Sequence, residues 1–140
     1  MAAVKKYVYA VGRRKCSTAV IKLFPKGTWK FTVKKGKDTL SLKDFFGGHA
    51  YLLEDALMPF AILGEKSDKT FDLEVVLRGW GMMGQAEALR LGLSRALVLH
   101  NESYRLTLKP HGLLKRDPRI KERKKPGLKK ARKSSQWSKR

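Results

Sequence analysis

The chain has 140 residues, of which 32 are Lys or Arg and 12 are Asp or Glu, so its formal charge is +20. The length fits one domain, and a hydrophobic content of 42% is enough for a core and excludes wholesale disorder. The charge excludes a neutral small molecule as the only partner and predicts a polyanion. The single Cys16 excludes an internal disulfide and a cysteine-built zinc site. No run approaches the ~20 apolar residues of a membrane span.

The charge divides the chain into three segments. Residues 1–43 contain 12 basic and 1 acidic residue, residues 44–108 contain 6 and 9, and residues 109–140 contain 14 and 2. The net charges are therefore +11, −3 and +12, and the cationic character belongs to the two ends. This segregation predicts two separate contact regions for a polyanion.

Three strands are predicted in the first segment, over residues 7–11, 19–24 and 29–34, because these runs contain aromatic and β-branched residues. The third strand alternates apolar residues with Lys and Thr, which predicts one buried and one cationic face. A turn over residues 35–38 follows it.

Two helices are predicted next. Ser41 and Asp44 have the spacing of a helix N-cap and its partner, so a short helix is expected to end near residues 47–48. A longer helix is predicted over residues 49–58. We expect it to end before Pro59, because the residue before a proline is disfavoured in helical conformation.

A fourth strand is predicted over residues 71–77, a loop over residues 79–84, and the longest helix over residues 85–100. Apolar residues occupy most of the circumference of this helix, with polar residues left on one narrow stripe. The helix is therefore expected to be nearly buried, packed against the sheet.

The apolar pattern fades after residue 108. Residues 109–140 contain three prolines and few large apolar residues, so they cannot bury enough surface to fold alone. We predict a folded body over residues 1–108 and a basic tail over residues 109–140.

The glycines from Gly79 to Gly84 spell GxGxxG between a predicted strand and a predicted helix, and Glu102 follows at about the offset of a ribose-binding acid. A dinucleotide site is disfavoured, because that acid should end a second parallel strand and mostly cationic tail remains after it. The alternative is a Gly-rich turn that lets the backbone pass close to a neighbour. The helix N-terminus there could still accept an RNA phosphate.

No catalytic set is apparent in the sequence. His49, His100 and His111 are far apart, and no His/Asn set accompanies Cys16. We expect His100 to be a core or helix-end residue and Cys16 to be structural. No enzymatic activity, cofactor or metal site is predicted.

The densest cationic run lies in the tail, over residues 116–133. Pro126 and Gly127 prevent one continuous helix, so the tail is expected to follow an irregular path, which favours folded RNA over regular B-DNA. Residues 127–140 could extend to nearly ~50 Å. Trp137 has no apolar neighbours in sequence and is expected to stack on a base, which contributes ~1–3 kcal/mol, or to pack against a sugar.

Several motifs occur in order along the chain: Gly-Arg-Arg-Lys at 12–15, Gly-Gln-Ala at 84–86, Arg-Ala-Leu at 95–97, Arg-Asp-Pro-Arg at 116–119, Glu-Arg-Lys-Lys at 122–125 and Ser-Lys-Arg at 138–140. Together they resemble the bacterial-type family of small-subunit ribosomal protein nine over essentially the whole chain. Trp80 stands where that family usually has another Gly, which predicts a stiffer or packed loop.

The resemblance implies an α+β body with a four-stranded sheet packed with helices, like the second domain of small-subunit ribosomal protein five, and an extended basic tail. Proteins of this family lie on the head of the small subunit, and the tail runs through rRNA toward the peptidyl site. By this match Ser138, Lys139 and Arg140 approach the anticodon loop of the bound tRNA.

The implied partners are small-subunit rRNA, peptidyl-site tRNA and neighbouring head proteins, with no membrane and no homo-oligomer. The expected location is the ribosome of a bacterial cytoplasm, and an organellar ribosome is the alternative. The candidate rRNA contacts are Arg13, Arg14, Lys15, Gly84, Gln85, Arg116, Arg119, Arg123, Lys124, Lys125, Lys129, Lys130, Arg132, Lys133 and Trp137. Two other functions stay open: a nucleotide-dependent enzyme that uses the Gly-rich turn, and a free nucleic-acid compacting protein.

Overall fold

A computed structural model describes residues 6–35, 38–64 and 71–138. Within those ranges the chain forms five strands and four helices. In chain order they are β1 (Val8–Arg14), β2 (Ser17–Pro25), β3 (Phe31–Lys35), β4 (Asp38–Ser41), α1 (Leu42–Phe45), α2 (Ala50–Leu63), β5 (Phe71–Arg78), α3 (Met82–His100) and α4 (Tyr104–Leu108).

The strands form one sheet in the order β1-β2-β5-β3-β4. The β3–β5 pair is parallel and the other pairs are antiparallel. Along β2, Ser17, Ala19, Ile21 and Leu23 are buried and the residues between them are half-buried, so one sheet face is covered and the other is open. Helix α3 packs on β1 and β2, and α2 packs on α3. This α+β architecture confirms the predicted fold class.

The predicted strand count of four is wrong, because β4 adds a fifth strand at the sheet edge. All four residues of β4 are exposed, so neither face of this strand is buried. Its sequence therefore has no alternation of buried apolar and exposed polar residues from which a strand could be predicted. It is held by antiparallel pairing with β3, from Lys35↔Asp38 to Thr32↔Ser41. The predicted turn between these strands falls on Gly36 and Lys37, which lie outside the described residues.

The third strand begins at Phe31, two residues later than predicted. Trp29 has a φ of +63° and is not part of the strand. Val33 is buried and Lys34 is exposed, as the alternating pattern predicts. Lys34 forms an ion pair of 3.2 Å with Glu74 on the open face of the sheet.

The predicted N-cap of the short helix is confirmed. The backbone N–H of Asp44 donates to Ser41 Oγ at 3.1 Å, and Ser41 Oγ donates to Asp44 Oδ2 at 2.6 Å. His49 is the N-cap of α2, so this helix also starts where expected.

The predicted end of α2 is wrong, because the helix includes Pro59 and continues to Leu63. Proline lacks the N–H that would bond to the preceding turn, which costs the helix one hydrogen bond. Phe60 lies fully buried, with ring centroids 4.9 Å from Trp29 and 5.8 Å from Phe31. Burial of this aromatic ring stabilises the last turn, and Gly64 closes it in left-handed conformation with a φ of +72°.

Helix α3 begins at Met82, so the predicted loop is shorter than expected and its last glycine lies inside the helix. The helix is nearly buried, as predicted, and its Gly92 faces Gly12 of β1. A Cβ on Gly12 would lie 1.9 Å from the carbonyl oxygen of Ala88, so only glycine permits this approach.

The boundary between body and tail, predicted at residues 108 and 109, stays a prediction. Leu108 at the end of α4 is fully buried, and Leu113, five residues further on, is only 5% exposed and belongs to the same core. The core therefore includes side chains from the first residues of the predicted tail.

Candidate nucleic-acid interface

The first basic cluster lies where β1 turns into β2. Arg13 and Lys15 are exposed, and Lys15 adopts a φ of +50° in the tight turn. Arg14, between them, turns inward and its side chain is 11% exposed. Arg13 and Lys15 therefore present their charges to solvent, whereas Arg14 uses its charge within the protein.

Arg14 joins β1 to α3 and to the start of the tail. Its Nε is ion-paired with Glu87 of α3, and its Nη2 lies 3.2 Å from Asp117 Oδ2. Its Nη1 donates to the carbonyl oxygen of Arg119 at 2.5 Å. These contacts, which we call the Arg14 tether, hold the chain at residues 117–119 against the body.

Asp117 is the acidic member of this tether. It accepts hydrogen bonds from the guanidinium of Arg119, at 2.8 Å to Nη2, and from the Arg119 backbone N–H at 2.9 Å. These bonds, with the positive charges of Arg119 and Arg14, hold the pKa of Asp117 well below its ordinary value. Asp117 is therefore ionised at neutral pH and tied to two arginines.

Three arginines from three parts of the chain converge beside β1. Arg13, Arg95 and Arg116, with the backbone at Val11, line a cleft of about 490 Å³, and no carboxylate of the described residues lines it. Arg95 Nη1 donates to the carbonyl oxygen of Val11 at 2.8 Å, which fixes its position. We call this the three-arginine cleft. Guanidinium groups bind phosphate through paired N–H donors, so the cleft suits an RNA phosphate.

Arg95 was not among the sequence-based candidates, although it lies in one of the motifs that carry the resemblance. The sequence contains one signal that could have identified Arg95: it is a cation on a predicted helix that is otherwise largely apolar. The structure places Arg95 in the same cleft as Arg13 and Arg116, and both of those residues were predicted.

The Gly-rich turn serves close backbone packing. Gly79 has a φ of +98°, and a Cβ there would lie 2.5 Å from the carbonyl oxygen of Cys16. Ser17 Oγ donates to the carbonyl oxygen of Trp80 at 3.1 Å, and a Cβ on Gly84 would lie 3.0 Å from Ser17 Oγ. The interpretation of these glycines as a close-approach turn is confirmed.

Two other residues of this turn differ in their environment. Gln85 Nε2 donates to the carbonyl oxygen of Gly79 at 2.9 Å, which ties the first turn of α3 to the loop. Trp80 is 88% exposed, so its indole does not pack on the body, and a stiffer loop stays a prediction. After α3 the chain enters α4 instead of a second parallel strand, and Glu102 pairs with Arg105 at 3.8 Å.

The tail follows the irregular path that was predicted. Among described residues 109–138 no helix follows α4, and Gly127 adopts a φ of +79° in a turn. A bridge between Leu128 and Ser134 and a bond of 2.7 Å from Lys129 N–H to the carbonyl oxygen of Lys133 close a loop there. This part of the tail is therefore locally compact instead of fully extended.

Glu122 explains why the loop can form in such basic sequence. It lies 2.8 Å from Lys125 Nζ and 2.7 Å from Arg132 Nε, and both contacts lower its pKa below the ordinary value. One carboxylate thus offsets the repulsion between two cations on either side of the turn.

The remaining candidate residues of the tail are distributed along its exposed surface. Trp137 is 81% exposed and Ser138 is exposed, while Lys139 and Arg140 lie outside the described residues. In the tail, the exposed candidate cations without an ion pair among the described residues are Arg116, Arg123, Lys124, Lys129, Lys130 and Lys133.

The histidines and Cys16 belong to no metal-binding group among the described residues. His100 is the last residue of α3 and lies edge-on to Phe71, with ring centroids 5.4 Å apart, so the helix-end prediction is confirmed. Within the described ranges no three His, Cys, Asp or Glu residues are grouped as a metal site, and no helix is long and apolar enough to span a membrane.

The sequence of this chain is similar to those of known proteins. The family model of ribosomal protein S9/S16 matches residues 12–140, which include the β1 arginines, the Gly-rich turn, α3 and the tail. The chain belongs to this family. The motif-based identification is confirmed, and membership makes the chain a ribosomal protein of the small subunit.

Curated relatives agree with the family model. Small ribosomal subunit protein uS9 of Mycoplasmopsis pulmonis is 45% identical over 130 residues, which cover 93% of this chain and 90% of the relative. The protein of the same name from Wolinella succinogenes is 44% identical over 133 residues, 95% of this chain and 98% of the relative. Small ribosomal subunit protein uS9c of Spinacia oleracea is 44% identical over 133 residues, 95% of this chain and 61% of the relative.

Proposed function

We propose that this protein is a structural constituent of the small ribosomal subunit that binds rRNA in the head and places its C-terminal tip near the anticodon loop of peptidyl-site tRNA. The observation that carries the rRNA part is the three-arginine cleft. Its guanidinium groups come from β1, α3 and the tail, and among the residues that the structure describes no carboxylate lines it. The role is structural and includes no catalytic step.

The tail supplies a second set of rRNA contacts. Its exposed cations, listed above, follow an irregular path that matches the uneven surface of folded RNA better than a regular duplex groove. The exposed indole of Trp137 is available for stacking on a base or packing on a sugar. Arg14 has a different role. Its guanidinium is ion-paired in the tether, and these contacts determine where the tail leaves the body.

The rRNA contacts are tested by the salt dependence of binding to a small-subunit rRNA transcript. Arg13→Ala and Arg116→Ala should each reduce the slope of log K against log salt by about 0.7–0.9, the value for one lost phosphate contact. Arg105→Ala is the matched control, because this exposed arginine lies on α4 away from the cleft, and its slope should not change. Unchanged slopes for both cleft variants would contradict the proposal.

The same measurement separates this function from general compaction of nucleic acid. A compacting protein would bind arbitrary duplex DNA as tightly as the rRNA transcript at equal salt. We expect a preference for the transcript that persists as the salt concentration rises, because specific binding requires the cleft and the tail to contact phosphates at the same time. Equal affinities would favour the compacting function.

The role of the tip is tested in assembled subunits. Deletion of Ser138, Lys139 and Arg140 should leave subunit assembly largely intact and weaken the binding of peptidyl-site tRNA. Replacement of the three residues by alanine keeps the chain length, so it separates loss of charge from loss of reach. Unchanged tRNA affinity across salt concentrations would remove this role while leaving the rRNA contacts untouched.

A further inference from the structure

The outer surface of α2 lacks the positive charge of the two ends of the chain. None of the 14 residues of Ala50–Leu63 is basic, although the whole chain carries 32 Lys and Arg. Its two charged residues are Glu54 and Asp55, and Asp55 is ion-paired with Arg90 of α3. Glu54 is exposed and has no ion pair within residues 6–35, 38–64 and 71–138.

Large apolar side chains lie on the same surface. Tyr51 is 67% exposed and Met58 is 37% exposed, and the two line a shallow groove of about 510 Å³ together with Leu57 and Ala61. Tyr51, Glu54, Met58 and Ala61 are spaced three, four and three residues apart, so they form one stripe along the helix. At 1.5 Å per residue the stripe is about 15 Å long.

We propose that this α2 groove is a docking surface for a cationic segment of a neighbouring protein in the small subunit. The carboxylate of Glu54 would accept hydrogen bonds from a Lys or Arg of that segment, and the face of the Tyr51 ring attracts the same cation. Met58 and Ala61 contact its apolar side chains. Met is unbranched and polarizable, so it adapts to the shape of a partner.

The charge distinguishes this occupant from RNA. Phosphates would be repelled by Glu54, and α2 offers them no Lys or Arg, whereas both basic ends of the chain are available for RNA elsewhere. The groove also lies on a different element from the three-arginine cleft, which is built by β1, α3 and the tail. The inference rests on membership in the small subunit and is independent of the proposed rRNA and tRNA contacts.

The experiment places the photoreactive residue p-benzoylphenylalanine at Met58 in the full chain, within assembled small subunits purified by sedimentation. Irradiation followed by mass spectrometry identifies the crosslinked segment. The control puts the same residue at Leu106 of α4, which is 82% exposed and does not line the groove. We expect Met58 to crosslink a protein segment of net positive charge at a yield at least fivefold above the control.

Any other species at Met58 overturns the proposal: rRNA, the tail of this chain, a segment without net positive charge, or a yield no higher than at Leu106. A second variant tests the role of charge. Glu54→Lys should reduce the yield at least fivefold, and Glu54→Gln about twofold, because the amide keeps a hydrogen-bond acceptor but removes the charge. Equal yields in all three chains would also overturn it.

Discussion

Substitution of Gly12 by alanine tests the contact that holds β1 against α3. The added Cβ would lie 1.9 Å from the carbonyl oxygen of Ala88 and 2.5 Å from the backbone nitrogen of Gly92. Both atoms belong to helix backbone, so no side chain can rotate away to make room. To reach an ordinary contact of about 3.4 Å, the first separation must grow by about 1.5 Å.

A shift of this size disturbs a well-packed interface. Overpacking in a core costs roughly 1–3 kcal/mol, and we expect Gly12→Ala to lie near the upper limit, at about 3 kcal/mol, because the clash involves two rigid elements. For a domain of this size the melting temperature should fall by about 10 °C. The displacement also moves β1 away from Arg95, which should weaken its hydrogen bond to Val11 and open the three-arginine cleft.

Urea denaturation followed by circular dichroism measures the loss of stability, and the rRNA transcript assay measures the effect on the cleft. Gly48→Ala is the matched control: it adds the same methyl group at a φ of +74°, where no atom of the described residues lies within 4 Å. Only backbone strain of about 1 kcal/mol is expected there. If Gly12→Ala destabilises the protein no more than Gly48→Ala does, the reasoning from close packing is refuted.

Two further predictions concern the start of the tail. A chain ending at Lys115 should be more stable in urea than one ending at Leu108 by about 2 kcal/mol, because only the longer chain buries Leu113; equal stabilities would place Leu113 outside the core. The pKa of the Asp117 carboxyl, measured by NMR, should lie below its ordinary value of 3.8. The contribution of Asp117 to the tether is then complete above pH 3.8 and is lost as the pH falls toward the lowered pKa. Arg119→Ala should move this pKa back toward 3.8, and an unmoved pKa would contradict the assigned cause.

The sequence predicts the buried parts of this fold well, because burial leaves a pattern. β1, β2 and β5 carry aromatic and β-branched residues, and α3 is apolar around most of its circumference, so each is recognisable alone. β4 has no buried residue and exists through backbone pairing with β3, which no local pattern reveals. We predicted that the helix ends before Pro59, because this prediction uses only local conformational preference. That preference takes no account of Phe60, whose ring is buried against aromatic residues that are distant in sequence.

The candidate site shows the same division. The exposure of Arg13 and of the tail cations was predictable from their density in sequence. The convergence of Arg13 with Arg95 and Arg116 was not, since it depends on how α3 packs on β1 and where the tail begins. Arg14 looked equivalent to its neighbours in sequence, and only the tertiary contacts to Glu87 and Asp117 distinguish it.

The position of β5 in the sheet has a consequence for biosynthesis. β5 lies between β2 and β3, so it joins the β1–β2 hairpin to the β3–β4 hairpin. A nascent chain that has not yet released residues 71–78 therefore has two separate hairpins, each with an unpaired inner edge open to wrong pairing. Because α3 follows β5 directly, the next residues to emerge cover the face of the completed sheet. A delay when the chain has emerged only as far as residue 70 would prolong the exposure of both edges, whereas a delay after residue 100 has emerged would find the sheet already covered.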